Sequence, residues 1–209
     1  MKYAHLSIDD TEAFFVDLIS NGERHKHLID SNLINHLHSL HSCFGACFTL
    51  YGYNTIGKYH ISDVPTEFKT EFEKYSSWLK FGFHWRKADY DEQLDDDSVL
   101  SDCKEVYNAV ESFAGQKSFS STIRLHYFHC SFTLYDKLSL LKPFVNGLTL
   151  LCPDTSGRKC YDLNDVELLQ LYHNGHVMKN GRYYICSTLR VEKSSPCSFT
   201  GNYISVFHS

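Results

Sequence analysis

The sequence lacks any apolar run near the roughly 18–20 residues that a membrane-spanning helix needs. Its first ten residues reach two aspartates before an apolar stretch forms, so no secretory signal is indicated. A basic excess is also missing, because the formal charge is −5, and this argues against partners such as nucleic acid or an anionic membrane. We therefore expect a cytoplasmic protein.

Several catalytic and metal-binding signatures are missing as well. The chain has no G-x-S-x-G, no glycine-rich dinucleotide loop and no phosphate-binding G-x-x-x-x-G-K-[ST]. These absences argue against a serine hydrolase, a Rossmann oxidoreductase and a P-loop enzyme. C-x-x-C is absent too, which leaves zinc-finger and thioredoxin-type motifs unsupported. Several of the eight cysteines lie in apolar, strand-like contexts, and we predict buried free thiols rather than a disulfide framework.

The 209 residues, 43% of them hydrophobic, suit a single domain (1–209) with a substantial core. Short runs rich in β-forming residues alternate with segments of helical spacing, and residues 132–145 are a helix or a loop. Predicted strands cover 3–8, 46–53, 80–84, 121–128, 147–152, 182–188 and 202–209. Predicted helices cover 11–19, 31–43 with Gly45 as its stop, 65–79, 98–114 and the segment from Asn164 to His173. This alternation predicts parallel pairing in an α/β fold, a distorted (β/α) barrel of about seven strands.

Polar residues of the kinds used in catalysis follow the predicted strands. Because the carboxyl ends of parallel strands converge on one mouth, we expect these side chains to line a common cleft. They are Asp9 with Asp10, His84, Arg124 with His126, Asp154 and His208.

Each of these residues has a plain structural alternative. Two adjacent carboxylates divide into a metal ligand and a general base, but Asp9 and Asp10 are equally explained as a helix N-cap pair. His84 is a suitable zinc ligand, although a lone histidine after an apolar strand is more often structural. Arg124 and His126 share one strand face, and Arg124 either orients a carboxylate or forms a plain ion pair.

Five short segments in this order resemble the motifs of the polysaccharide deacetylase superfamily, which are metal-dependent carbohydrate esterases. They are SIDD (7–10), FGFH (81–84), IRLHY (123–127), LLCPDT (150–155) and ISVFH (204–208). The segments WLKFGFH and RLHYF resemble those of an uncharacterised branch of this superfamily.

The resemblance implies a role for each matched residue. Asp9 is implied as general base with Arg124 beside it, and Asp10 and His84 as ligands of a divalent ion, with zinc expected. His208 would protonate the leaving amine, and Asp154 is implied as its support.

The sequence departs from the superfamily at the histidine motif. The motif normally supplies a second histidine four residues after the first, and that position is Ala88 here. His126 stands where the arginine motif usually carries proline, and it is the candidate for the missing metal ligand, with His129 in reserve. The chain also ends one residue after His208.

We therefore predict a metal-dependent hydrolase that removes an acetyl group from an acetylated carbohydrate or small substrate. Trp85 and Tyr127 are candidates for stacking against a sugar face, with ordinary packing as the default explanation. Two alternatives stay open: an inactive barrel that binds carbohydrate or a partner protein, and a metal enzyme that hydrolyses another C–N or ester bond.

Overall fold

The structure is a computed structural model that describes residues 4–9, 11–85, 95–125, 128–152, 160–186, 189–191 and 203–207. Helices and strands alternate along most of these residues. The α-helices are α1 (Glu12–Asn21), α2 (Asn32–Phe44), α3 (Lys69–Tyr75), α4 (Asp96–Phe113), α5 (Phe132–Ser139) and α6 (Asp165–Asn174). Among the described helices, none is both long enough and apolar enough to cross a bilayer.

The strands form two larger sheets and one small hairpin. Their bounds are β1 (Ala4–Ile8), β2 (Cys47–Gly52), β3 (Thr55–Ile56), β4 (Tyr59–His60), β5 (Leu79–Phe83), β6 (Thr122–Ile123), β7 (Thr149–Cys152), β8 (His176–Lys179), β9 (Arg182–Cys186), β10 (Leu189–Val191) and β11 (Tyr203–Phe207). The first sheet is parallel throughout, in the order β10-β11-β1-β2-β5. The second has the order β6-β7-β9-β8, with β8 antiparallel to β9. Strands β3 and β4 form the hairpin.

The predicted distorted barrel of about seven strands is wrong: within the described ranges the strands form separate sheets and no closed barrel. One reason is the segment 121–128, where only two residues form β6. The chain from Phe119 to Arg124 meets β5 and the residue after it through two isolated bridges, Phe81 with Phe119 and His84 with Arg124, rather than through a continuous ladder. The other reason is β8, which was not predicted and which occupies the outer edge of β9.

Two helix ends lie where the sequence predicted them. Helix α2 ends at Gly45, whose φ of +67° is the left-handed conformation that glycine adopts readily. Asn164 caps α6: its side chain accepts from the N–H of Glu167, whose carboxylate accepts in return from the N–H of Asn164. The third helix is shorter than predicted, because α3 begins at Lys69 rather than at Pro65.

Aromatic side chains dominate the core of the first sheet. Phe72, Phe81 and Phe113 meet in T-shaped pairs with ring centroids 5.2–5.6 Å apart. On the other face of the sheet, Gly82 lies opposite Tyr51 in the β2–β5 register. A Cβ at position 82 would lie 2.5 Å from Cε1 of Tyr51, so glycine lets the ring lie across the strand.

The cysteines differ in part from the prediction. Cys103, Cys130 and Cys186 are buried free thiols, as predicted. Cys152 and Cys160 instead form a disulfide, so the prediction was wrong for this pair. The chain returns to the end of β7 within eight residues and brings the two Cα atoms to 5.8 Å, a separation that suits a disulfide.

Candidate functional site

Three predicted site residues lie at the same edge of the sheets, each directly after the end of a strand. Asp9 follows β1, His84 follows β5 and Arg124 follows β6. Two backbone hydrogen bonds align the neighbouring strand ends, because the N–H of His84 donates to the Gly52 carbonyl at 3.0 Å and the N–H of Arg124 donates to the Phe83 carbonyl at 3.1 Å. The carboxyl ends therefore converge here, as they do in other parallel sheets that build sites.

Asp9 and Arg124 form a buried ion pair. Nη1 of Arg124 lies 2.9 Å from Oδ2 of Asp9, and the side chains are 7% and 0% exposed. The guanidinium also lies 5.0 Å from the ring centre of Phe128. Because two charges removed from water are tolerated only when they compensate each other, each residue fixes the other in place. The arginine is thus beside the aspartate, the relation that the sequence resemblance implied.

His84 is bonded to the same arginine through the backbone. Its Nδ1 lies 2.8 Å from the Arg124 carbonyl oxygen, and the residue is 5% exposed. A carbonyl only accepts, so Nδ1 donates this hydrogen bond. Metal-bound histidines are commonly held by such a bond to a backbone carbonyl. The ring stacks on Tyr53 with centroids 5.1 Å apart, which further fixes its plane.

Two tyrosines that the sequence reasoning missed interact electrostatically with the Asp9–Arg124 pair. Tyr51 is fully buried and packs against the second sheet. Burial and then the charge of Asp9 raise the pKa of Tyr51, while Arg124 opposes that rise. Burial also raises the pKa of Tyr161, with smaller contributions from the same two charges. The strand alternation from Thr49 could have pointed to Tyr51, whereas Tyr161 lies outside every predicted element.

Trp85, a predicted substrate-binding residue, lies in the core. It is 6% exposed, and its indole N–H donates to Oδ2 of Asp102 at 2.9 Å. Asp102 also accepts a hydrogen bond from Asn54. Burial raises the pKa of Asp102, the hydrogen bond from Trp85 opposes that rise, and the nearby charge of Glu105 adds to it. This placement is that of a packed residue, and a role in substrate binding stays a prediction.

A groove of about 330 Å³ lies away from Asp9, between α4 and a short helical turn at Ile61–Asp63. None of its lining residues was predicted as a site residue. Its polar lining is Asn54, His60, Ser62, Glu105, Asn108 and Ser112.

The other predicted site residues lie outside the described part of the chain. They are Asp10, His126, Tyr127, Asp154 and His208. Among the residues that are described, no three His, Cys, Asp or Glu side chains are grouped as a metal would require. Because two of the three predicted ligands are not among those residues, the metal site stays a prediction.

Comparison of the chain with models of protein families, with curated proteins and with solved structures found no match. The resemblance to the deacetylases therefore depends on the five short motifs.

Proposed function

We propose that the protein is a metal-dependent hydrolase that removes the acetyl group from an N-acetylated or O-acetylated sugar by means of an activated water molecule. The observation that supports this best is the cluster of Asp9, Arg124 and His84. The three residues come from three different motifs of the resemblance, and Arg124 contacts both Asp9 and His84 at one buried edge.

Asp9 is the general base in this proposal. A carboxylate that is 0% exposed would tend to become protonated, since burial disfavours its charged form. Arg124 at 2.9 Å favours the ionised form and leaves the carboxylate able to take a proton from the attacking water. His208, supported by Asp154, would then donate a proton to the departing group, which is the amine of an N-acetylated sugar or the alcohol oxygen of an O-acetylated one.

Asp10, His84 and His126 would hold the divalent ion, with zinc expected. His84 fits this role because its Nδ1 donates to the Arg124 carbonyl, the kind of backbone hydrogen bond that commonly holds a metal-bound histidine. A bound ion of this kind polarises the acetyl carbonyl and makes a water molecule easier to deprotonate.

The first experiment compares wild type with His84→Ala and with His36→Ala, a control in which an exposed helical histidine is lost. Elemental analysis and release of acetate from acetylated sugars are measured on all three proteins. We expect about one divalent ion per chain and acetate release in wild type and in the control, and loss of both in His84→Ala. Wild type that binds no added zinc and releases no acetate would contradict the proposal.

A second candidate is an inactive deacetylase-like protein that binds carbohydrate or a partner protein. Ala88 favours it, because the superfamily's second histidine is missing at that position. Sugar binding by wild type without metal and without acetate release would select this candidate.

A further inference from the structure

Tyr161 links the ends of two strands at the site. Its hydroxyl accepts a hydrogen bond from the N–H of Leu125 at 3.3 Å and donates one to the carbonyl of Leu151 at 3.1 Å. Leu125 directly follows Arg124, and Leu151 lies in β7. One phenol thus ties the backbone beside the site arginine to the neighbouring strand.

The backbone of Tyr161 is itself held by two constraints. Its φ is +52°, a left-handed conformation that a residue with a bulky side chain rarely adopts. The disulfide joins the preceding residue, Cys160, to Cys152, the last residue of β7. In addition, the N–H of Tyr161 donates to the carbonyl of Phe128. These constraints maintain a conformation that the residue alone would not favour.

The ring of Tyr161 supports Arg124 by a second route. It meets the ring of Phe128 edge-on, with centroids 6.1 Å apart and planes at 90°. The guanidinium of Arg124 in turn lies 5.0 Å from the centre of the Phe128 ring. Tyr161 therefore acts on the arginine through its hydroxyl and Leu125, and through its ring and Phe128.

We infer that Tyr161, anchored to β7 by the Cys152–Cys160 disulfide, is a positioning residue that holds Arg124 against Asp9. The inference rests on the proposed function for its effect on activity, whereas the effect on the backbone can be measured without it. In this role Tyr161 acts through Arg124 and does not itself contact the substrate.

The first test removes the phenol oxygen with Tyr161→Phe. The matched control is Tyr135→Phe, because the Tyr135 hydroxyl also donates to one backbone carbonyl, that of Leu148 at 2.8 Å, outside the cluster. Amide hydrogen exchange at Leu125 is followed by NMR. We expect exchange to be about tenfold faster in Tyr161→Phe and unchanged in the control, because only the first variant removes the acceptor of that N–H.

The second test removes the anchor with the double variant Cys152→Ser/Cys160→Ser. Its control is Cys186→Ser, which alters a buried free thiol directly opposite Cys152 in the sheet register. The double variant should also exchange faster at Leu125, and the control should match wild type. The two tests act on different atoms, so a folding defect in one variant does not decide the result.

Activity separates positioning from general stability. In an active enzyme, kcat for acetate release should fall about tenfold in Tyr161→Phe with KM nearly unchanged, since a displaced Arg124 would misplace the base rather than the substrate. Unchanged exchange at Leu125 in both test variants would overturn the inference. Faster exchange at Leu125 in Tyr161→Phe with a kcat equal to that of the active wild type would overturn it as well. An inactive wild type with faster exchange in both test variants would remove the proposed function and leave the positioning role supported.

Discussion

At the scale of single residues, the buried pair of Asp9 and Arg124 is a close electrostatic constraint at the candidate site. We predict that Asp9→Asn lowers the free energy of unfolding by about 3–5 kcal/mol, because it leaves the arginine as an uncompensated buried charge. Urea unfolding of wild type and variant measures the change. Under the proposed function, acetate release should be lost as well.

A surface pair provides the matched control. Lys142 and Glu111 lie 2.7 Å apart, but their side chains are 58% and 36% exposed. Glu111→Gln should therefore change the free energy of unfolding by less than about 1 kcal/mol. Equal effects of the two substitutions would show that burial does not control the energy of the Asp9–Arg124 pair.

His5 should make stability depend on pH. Burial lowers the pKa of His5 below its ordinary value of 6.5, and Nε2 lies 2.9 Å from the hydroxyl of Thr49. As pH falls below 6.5, the unfolded chain takes up a proton more readily than the native protein, so the free energy of unfolding decreases towards the native pKa. His5→Gln should flatten this part of the curve, as measured by urea unfolding at about pH 7.5 and about pH 5.5. The same pH dependence in both proteins would assign the effect to other groups.

At the scale of elements, the approach of β2 and β5 depends on Gly82. We predict that Gly82→Ala costs about 1–3 kcal/mol, because the added Cβ would lie 2.5 Å from the Tyr51 ring. The cost should shrink in a Tyr51→Ala background, where the ring is absent, and a double-mutant cycle by chemical denaturation measures that coupling. Additive costs would place the strain elsewhere in the strand.

The elements also show how far the sequence can predict this fold. Helix α2 and its stop at Gly45, and the Asn164 cap of α6, depend on neighbours in the chain, and both were predicted. Strand β6 was predicted over 121–128 but includes only Thr122–Ile123, because pairing with β7 decides its length rather than β-propensity. The disulfide between Cys152 and Cys160 likewise depends on where the chain returns, which spacing alone does not give.

For the candidate site, the sequence predicted the positions of three residues but not the contacts between them. Asp9, His84 and Arg124 were expected at converging strand ends, and the structure places them there. Their bonds to one another, such as Nδ1 of His84 to the Arg124 carbonyl, could not be derived from spacing. Tyr161 could not be found at all, since its role depends on a backbone conformation that no local pattern signals.

At the scale of the whole molecule, one hydrophobic cluster includes residues of both larger sheets, among them Phe81, Leu150 and Tyr184. We predict that the chain unfolds in a single transition, since neither sheet has a separate main core. Tryptophan fluorescence reports on Trp78 and Trp85 near the first sheet, and alkylation of the buried thiol of Cys186 reports on the second. The two urea midpoints should coincide; separate midpoints would indicate two independent units.

The Cys152–Cys160 bond also has a consequence for maturation. A newly made chain carries two thiols at these positions, and joining them requires an acceptor for two electrons. If Tyr161 depends on that bond, then the fraction of competent molecules in any preparation will follow the completeness of this oxidation, whatever the total amount of folded protein. Two batches of equal purity could then differ in specific activity. The fraction of chains that carry the Cys152–Cys160 disulfide in each batch would account for the difference.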